Sequence, residues 1–262
     1  MTDFKKIEEE ALLEVLHAAE SYEEAALYNT EKVMQAFRKH MVSDFYLKPT
    51  TGYAYSDVGR EKLDEIYADI FKTEAALVRS QFVSGTHALA VALLGVLKAG
   101  DEVIAATGTP YDTMQTIIGV PVKTPGSLTD LGVVYKEIPM IGSQIDLEKI
   151  TAAITAKTKM IHIQRSCGYS SVRKTLRIEE IGTICKAAKA IKPDIICFVD
   201  NCYGEFIEKQ EPTEVGADLM AGSLIKNKIN YYNNNRKDLY DKLSALLGNT
   251  ESQRRIYLFA DP

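Results

Sequence analysis

The sequence predicts an α/β fold built on a mainly parallel, doubly wound sheet. Short apolar segments alternate with amphipathic segments from about residue 75 to residue 222, which is typical of strands that alternate with helices. The segments KMIHIQ and DIICFVD are apolar almost throughout. Strands of that kind are buried on both faces of a parallel sheet. A chain of 262 residues has enough core to bury such a sheet.

The elements follow from the pattern in chain order. The pattern predicts helices in residues 4–40, because the apolar residues Leu12, Leu13 and Leu16 recur with helical spacing. The segment TTGYAYSDVGR predicts a loop, and EKLDEIYADIF predicts a helix. Next come AALVRSQFVSG, which predicts a short strand ending in a turn, the buried helix THALAVALLGVLK, and the strand GDEVIAAT with a loop at GTPYDT. In the second half the pattern predicts, in order, strand GVVYKEIPM, helix DLEKITAAIT with an Asp cap, strand KMIHIQRS and helix IEEIGTICKAAKAIK. There follow the apolar strand DIICFVDNCYGEF, which ends in polar residues, and the strand and turn GADLMAGSLIKN.

Residues 228–262 differ in composition and pattern from the rest of the chain. They contain three consecutive Asn and a charge-rich stretch, and the pattern gives them no clear place in the sheet. One helix is plausible from Lys237 to Leu247. The predicted organisation is therefore an N-terminal helical segment over residues 1–45, an incomplete large domain over 46–227 and an atypical tail over 228–262.

Charge and composition exclude several classes of protein. The net charge is −5, the pI is near 5.5 and there is no long basic run, so nucleic acid is not expected as the main partner. The N-terminus is charged, and no run of about 18 apolar residues exists, so we expect neither a signal peptide nor a membrane span. We therefore expect a cytoplasmic protein. The four cysteines form no CxxC pair, which predicts reduced, mostly buried thiols and no metal site.

Polar clusters follow several of the predicted strands. In a parallel sheet, ligands bind beyond the carboxyl ends of the strands. The clusters are Ser84-Gly85-Thr86-His87, Tyr111-Asp112-Thr113, Gln164-Arg165-Ser166, Asp200-Asn201 and Ser223-Leu224-Ile225-Lys226. Together they predict an anion site, an aromatic platform, a strand-end acid and a lysine.

Three of these features have a specific chemical interpretation beside a structural one. The turn SGTHA opens a helix, whose free N–H groups favour a phosphate, although an ordinary helix cap is the alternative. Asp200 ends the apolar run ICFV, and a buried carboxylate needs a cation such as a protonated pyridine nitrogen, or else it caps a turn. Lys226 follows AGS and could form an imine once deprotonated, whereas a solvated loop lysine is the alternative.

The stretch from about Thr50 to Asn227 resembles a known enzyme family. It is similar to the methionine gamma-lyase-like, or aluminium-resistance, family of enzymes that depend on pyridoxal phosphate (PLP). These are relatives of the cystathionine beta- and gamma-lyases with the aspartate-aminotransferase (fold type I) architecture. The segments that carry the resemblance are TTGYAYSDVGREKLDEIYADIF, TEAALVRSQFVSGTHALA, PYDT, IQRSCGYS, ICFVDNCYGEF and EPTEVGADLMAGSLIKN.

The resemblance implies PLP as the cofactor and assigns a role to each matching residue. Lys226 would carry the cofactor and move substrate protons, Asp200 would pair with the pyridine nitrogen, and Tyr111 would stack on the ring. The phosphate would be bound by Ser84, Gly85 and Thr86, with help from Ser223. Tyr55 and Arg60 resemble residues that reach the phosphate of a neighbouring subunit, which implies a homo-oligomer.

The implied reaction is elimination of a sulfur group from a small amino-acid substrate. After GSLIKN the family continues with a Pro-Gly-Gly-Gly run, whereas here Lys228-Ile229-Asn230-Tyr231 follows. We therefore expect that residues 228–262 come from a frameshift or premature end and that the small domain, which holds the substrate carboxylate, is missing.

Three functions remain open on the sequence. The first is an active carbon–sulfur lyase, and the second is an inactive fragment that keeps the cofactor-binding fold. The third is a nucleotide-binding α/β protein. It is weakened by the absence of GxGxxG or GxxxxGK[ST] after any strand, and it leaves Asp200 and Lys226 without roles.

Overall fold

The computed structural model describes residues 4–50, 57–79, 81–168, 170, 173–223 and 255–259, with side chains placed within those ranges from residue 22 to residue 223. The helices are α1 Phe4–Lys39, α2 Val58–Phe71, α3 Gly85–Val96, α4 Asp112–Ile118, α5 Leu147–Ala153 and α6 Ile178–Ile191, with 3₁₀ turns at Asp44–Leu47 and Pro212–Val215. The strands are β1 Ala75–Arg79, β2 Glu102–Ala105, β3 Val134–Glu137, β4 Thr158–Gln164, β5 Ile196–Asp200, β6 Leu219–Gly222 and β7 Arg255–Phe259.

These strands form one sheet in the order β1-β7-β6-β5-β4-β2-β3. Strands β2 to β6 pair in parallel, and β7 is antiparallel to both of its neighbours. The prediction of a mainly parallel sheet is therefore confirmed.

The C-terminal segment corrects one expectation from the sequence. Residues 228–262 were expected to have no clear place in the sheet, yet Arg255–Phe259 forms β7 between β1 and β6. Its position in the sheet depends on pairing with β1 and β6, which lie far away along the chain and are not visible in the local pattern. The helix expected from Lys237 to Leu247 lies outside the described residues.

Helices cover both faces of the sheet, as a doubly wound fold requires. Side chains of α1, α2, α5 and α6 pack on one face against Ile161, Ile163 and Val199. Side chains of α3 and α4 pack on the other face against Met160 and Phe198. Because side chains alternate along a strand, the face that carries Phe198 is also the face to which the last residue of β5 points.

Two local elements differ from the sequence-based expectation. Helix α2 begins at Val58 rather than near residue 61, because the Asp57 carboxylate accepts the backbone N–H of Arg60 at 3.2 Å and caps the helix earlier. Arg60 is consequently in the first turn of α2 and not in the preceding loop. Helix α4 follows the turn GTPY directly, where only a loop was expected.

The cysteines agree with the expectation of reduced thiols. All four are free, and Cys185, Cys197 and Cys202 are buried, while Cys167 is partly exposed. Within the described part of the chain no group of three or more His, Cys, Asp or Glu side chains is placed to hold a metal ion. The same residues include no helix that is both long enough and apolar enough to cross a membrane.

Candidate functional site

The candidate site lies at the carboxyl ends of β4, β5 and β6. In the parallel register Gln164 pairs with Asp200, and Asp200 pairs with Ala221. Ser223 lies two residues beyond Ala221 and so on the same side of the sheet. The strand ends are therefore level, and Gln164, Asp200 and Ser223 all point toward the face that α3 and α4 cover.

Asp200 is the acid of this site, and its position at the end of a strand confirms the sequence-based prediction. Only 2% of its surface is exposed. One carboxylate oxygen accepts the backbone N–H of Cys202 at 3.1 Å. An ionised carboxylate at this depth needs a cationic partner, since burial of a charge is costly.

The N-terminus of α3 forms the second part of the site. Ser84 caps this helix, and its hydroxyl oxygen accepts the backbone N–H of His87 at 3.0 Å. Ser84 thus makes the helix cap that was the alternative to a phosphate contact. By helix geometry the N–H groups of Gly85 and Thr86 have no acceptor within α3, which runs for 12 residues. Such a terminus favours an anion.

Tyr111 joins the helix terminus to the acid. Its phenolic oxygen lies 3.4 Å from the hydroxyl of Thr86, which is also 3.1 Å from the hydroxyl of Thr113. Burial, and then the negative charge of Asp200, raise the pKa of Tyr111 far above its usual value. The phenol is consequently neutral throughout the physiological range, and its ring offers an uncharged platform beside Asp200.

Ser223 marks the point where β6 leads toward the candidate lysine. Ser223 is buried, and its backbone N–H donates to a carboxylate oxygen of Glu205 at 2.6 Å. A side chain at Gly222 would place its Cβ 2.3 Å from the same oxygen, so the buried Glu205 side chain would have to move. Lys226 and Tyr55 lie outside the described residues. Arg60 is on α2, which packs on the opposite face of the sheet from α3. The role of Arg60 at the phosphate of a neighbouring subunit stays a prediction.

The sequence placed Gln164 in one of the polar clusters at the strand ends but gave it no role in the site. Its amide nitrogen donates to the carbonyl of Ser166 at 3.2 Å, whereas its amide oxygen is buried and has no hydrogen-bond partner among the described residues. Buried polar atoms are rarely left unpaired, so such an atom at a strand end indicates a missing ligand or water. The signal in the sequence was its place at the end of an apolar strand, but only the pairing with Asp200 brings it to the site.

His162 lies two residues before Gln164 in β4, so the two side chains are on the same face of the sheet. Its ring stacks on Phe198 with centroids 5.4 Å apart. Complete burial, and then the positive charge of Arg173, lower the pKa of His162 to about 4. This imidazole is therefore neutral at physiological pH and forms part of the floor of the site.

Arg173 belongs to none of the clusters that the sequence predicted. It reaches back over the loop that follows β2, where its Nη1 donates to the carbonyls of Thr107 at 3.0 Å and Thr109 at 3.3 Å. Its Nη2 donates to the carbonyl of Cys167 at 3.3 Å. Arg173 and Tyr111 share the wall of a cavity of about 480 Å³ that opens beside the site.

A buried network beneath the site fixes two of the strand ends. Arg165, which follows Gln164, is 1% exposed and donates to the side-chain oxygen of Asn201 and to the carbonyl of Gly204, both at 2.8 Å. Its Nη2 donates to the Glu208 carboxylate at 2.6 Å. Asn201, which follows Asp200, donates in turn to the buried Glu211 at 3.0 Å.

These residues fit PLP. The α3 terminus suits a phosphate, the ring of Tyr111 suits a flat aromatic ring, and the buried carboxylate of Asp200 suits a protonated ring nitrogen. The unpartnered oxygen of Gln164 lies at the same level as Asp200. The described residues thus include a place for each polar end of that cofactor.

Comparison with known proteins identifies relatives of this chain. A family profile described as methionine gamma-lyase matches residues 4–230. The uncharacterized protein YnbB of Bacillus subtilis is 48% identical over 225 residues, which cover 85% of this chain and 53% of that protein. The solved structure of a carbon-sulfur lyase involved in aluminum resistance from Clostridium novyi has a TM-score of 0.79 and 42% identity, and covers 84% of this chain and 53% of that one.

Further solved structures extend the likeness. A candidate cystathionine beta-lyase involved in aluminum resistance from Listeria monocytogenes has a TM-score of 0.85 and 41% identity, over 98% of this chain and 61% of that one. The PLP-dependent protein YhfS of Escherichia coli, with 15% identity and a TM-score of 0.58, shares the fold alone.

The chain spans 53% of the length of the Bacillus protein and 61% of the Listeria protein. None of these likenesses favours the nucleotide-binding alternative. The profile match over most of the chain, together with the 48% identity to a relative, shows that the chain belongs to the methionine gamma-lyase family.

Proposed function

We propose that this chain is the cofactor-binding large domain of a PLP-dependent carbon–sulfur lyase that acts on a sulfur-containing amino acid of the methionine or cystathionine type. The observation that carries the proposal is the buried Asp200 at the end of β5, next to Tyr111 and the N-terminus of α3. Membership of the methionine gamma-lyase family supports it.

Each residue of the site has its own role in binding the cofactor. Asp200 keeps a proton on the ring nitrogen of the cofactor, since its own negative charge is buried and needs a cation there. The N–H groups of Gly85 and Thr86 bind the phosphate at the turn that Ser84 caps, assisted by the hydroxyl of Ser223. Tyr111 covers the ring and excludes water from it.

Lys226 completes the site by carrying the cofactor. When bound, PLP supplies an electron sink that stabilises the negative charge left at the α carbon of the substrate. Once the substrate amine has displaced it, Lys226 would accept the α proton at its free amine nitrogen and would donate a proton to the sulfur that leaves as a thiol when the carbon–sulfur bond breaks.

A homo-oligomer is part of the proposal. Tyr55 and Arg60 of one chain reach the phosphate site of a neighbour, so that the site is complete only in the assembly. Light scattering at increasing protein concentration, with and without PLP, tests this point. A species that stays monomeric with bound cofactor would contradict it.

The second candidate function is cofactor binding without turnover. It is supported by the bulky Ile229 and Tyr231 close after Lys226, where the family is expected to have glycines that let the backbone approach the cofactor. Both candidates require PLP to bind at Lys226.

One experiment separates the two candidates. The purified chain is mixed with PLP, and lysine-bound cofactor should give an absorbance band at about 410–430 nm. The band should be lost in Lys226→Ala and kept in Lys209→Ala, a control on the surface that pairs with Glu24. Release of a 2-oxo acid from L-methionine or L-cystathionine supports the lyase, and a band without release supports the second candidate. Absence of the band in the unchanged chain contradicts both.

A further inference from the structure

Asn29 is a buried polar side chain of α1 that has no role in the proposed reaction. Only 3% of its surface is exposed. Its amide nitrogen donates to the carbonyl of Phe206 and to the carbonyl of Glu208, both at 3.0 Å. These acceptors lie 177 and 179 residues later in the chain. Asn29 therefore ties the N-terminal helix to residues 201–211, which directly follow Asp200 and are called the acid loop below.

Phe206, in the middle of the acid loop, has a backbone conformation that its neighbours must hold. Its φ angle is 63°, in the left-handed region that a residue with a Cβ rarely adopts. Such a conformation persists only where the surrounding contacts determine it. Two of these contacts come from α1, because Asn29 binds the carbonyl of Phe206 and the ammonium of Lys32 lies 5.8 Å from the centre of its ring. The ring also packs against Phe71, with centroids 5.2 Å apart.

The acid loop sets the orientation of the Asp200 carboxylate. The backbone N–H of Cys202 donates to one oxygen of this carboxylate at 3.1 Å. Glu211 joins the middle of the loop to its start, because one of its oxygens accepts the N–H of Phe206 at 2.8 Å and the other accepts the side-chain amide of Asn201 at 3.0 Å. A shift of Phe206 would therefore pass through Glu211 to Asn201, which directly follows Asp200.

The carbonyl of Glu208 gives Asn29 a second link to the same strand ends. The carboxylate of Glu208 accepts Nη2 of Arg165 at 2.6 Å, and Nη1 of Arg165 donates to the side-chain oxygen of Asn201 at 2.8 Å. Both carbonyls that Asn29 binds thus belong to residues whose other contacts lead to the neighbour of Asp200.

Building on the proposed function, we propose that Asn29 positions Asp200. By holding the acid loop, Asn29 keeps the Asp200 carboxylate in the orientation that pairs with the ring nitrogen of PLP. Asn29 acts through the loop rather than on the cofactor, so it is a positioning residue. A residue that only fastened α1 to the domain would change the stability of the chain without changing the charge on the ring nitrogen.

The test reads the proton on the ring nitrogen and does not depend on activity. A positive ring nitrogen disfavours a second positive charge on the nitrogen that joins Lys226 to the cofactor, and so lowers the pH at which that second nitrogen loses its proton. The PLP-loaded chain is titrated with base, and the midpoint at which the band at about 410–430 nm disappears is recorded. Asn29→Leu should raise this midpoint by about half a pH unit or more, because a displaced Asp200 holds the ring proton less firmly.

Three further variants complete the test. Asp200→Asn removes the charge itself and should give the largest rise in the midpoint. Val33→Ala removes buried apolar contacts of the same helix, so it should lower stability in urea without moving the midpoint. Asn29→Ser keeps a single donor for two carbonyls, so it should raise the midpoint by less than Asn29→Leu does. This milder variant also keeps the test decisive if Asn29→Leu does not fold.

The outcomes distinguish this inference from the function on which it rests. An unchanged midpoint in the folded Asn29 variants, or an equal rise in Val33→Ala, would overturn the positioning role and leave cofactor binding standing. An unchanged midpoint in Asp200→Asn would overturn the pairing of Asp200 with the ring nitrogen, and the inference with it. Absence of the cofactor band in the unchanged chain would overturn the proposed function itself.

Discussion

The guanidinium of Arg165 donates to the side-chain oxygen of Asn201 at 2.8 Å, and this contact ties the end of β4 to the end of β5. Each residue directly follows a residue of the site, Gln164 in one case and Asp200 in the other. Among the side chains that the structure describes, Arg165 is the largest that is fully buried. We infer that this contact positions the two strand ends.

Replacement of Arg165 by Met should destabilise the chain strongly. Glu208 would lose the partner that Arg165 now provides at 2.6 Å, and Asn201 would lose a donor. Loss of one partner from a buried charged network costs about 3–5 kcal/mol. Urea denaturation measures the change, with Lys98→Met on the surface as the control. A loss below about 1 kcal/mol would show that the network does not hold the strand ends.

Glu211 should make the chain less stable as the pH rises. Burial raises the pKa of Glu211 to about 7, although a hydrogen bond from Phe206 and the charges of Arg165 and Lys32 oppose this. A carboxyl group whose pKa is higher in the folded state stabilises the fold below its unfolded pKa, near 4.5, and that contribution disappears as the pH rises through about 7. The loss is on the order of 3 kcal/mol.

Glu211→Gln tests this dependence, because glutamine does not titrate. Its free energy of unfolding should change less between pH 5 and pH 8 than that of the unchanged chain. Equal slopes for the two proteins would contradict the assignment. The exposed Glu148→Gln serves as a control that should leave the slope unchanged.

His162 should make the chain less stable as the pH falls, which is the opposite of the effect of Glu211. Burial lowers its pKa to about 4, with a contribution from Arg173, whereas an unfolded histidine titrates near 6.5. The stability that it contributes is present above pH 6.5 and is lost as the pH falls toward 4. Replacement by Phe should flatten the acid side of the stability profile, measured by denaturation at each pH. An unchanged acid side would show that other groups cause the loss.

Gly222→Ala should disturb the segment that leads to Lys226. The added Cβ would lie 2.3 Å from the Glu205 oxygen that accepts the N–H of Ser223. Overpacking of this kind costs about 1–3 kcal/mol. Affinity for PLP should fall with stability, whereas Gly95→Ala, where the added Cβ meets nothing within 4 Å, should keep both. Full cofactor affinity in Gly222→Ala would contradict this role for the Glu205 contact.

The sequence predicts the strands of the site well because their signal is local. The runs around Ile161 and Phe198 are apolar on both faces, so β4 and β5 are visible without tertiary information. Asp200 stands out because it ends such a run. The turn before α3 is visible for a similar reason, since Ser84 has the residue type of a helix cap.

The sequence does not predict the features that depend on distant contacts. Strand β7 acquires its place from β1 and β6, which are far away in the chain. Gln164 becomes a site residue only through its register with Asp200. Arg173 does so only because its side chain reaches the carbonyls of Thr107 and Thr109, more than 60 residues earlier.

The cofactor affinity of Asp200→Asn tests the central claim most directly. PLP is titrated into the unchanged chain and into this variant, and the band at about 410–430 nm reports binding at Lys226. We expect the variant to bind at least about tenfold more weakly. Asparagine keeps the shape of aspartate but carries no negative charge to pair with a protonated ring nitrogen. Equal affinity in the two proteins would show that Asp200 does not hold the cofactor and would contradict the account.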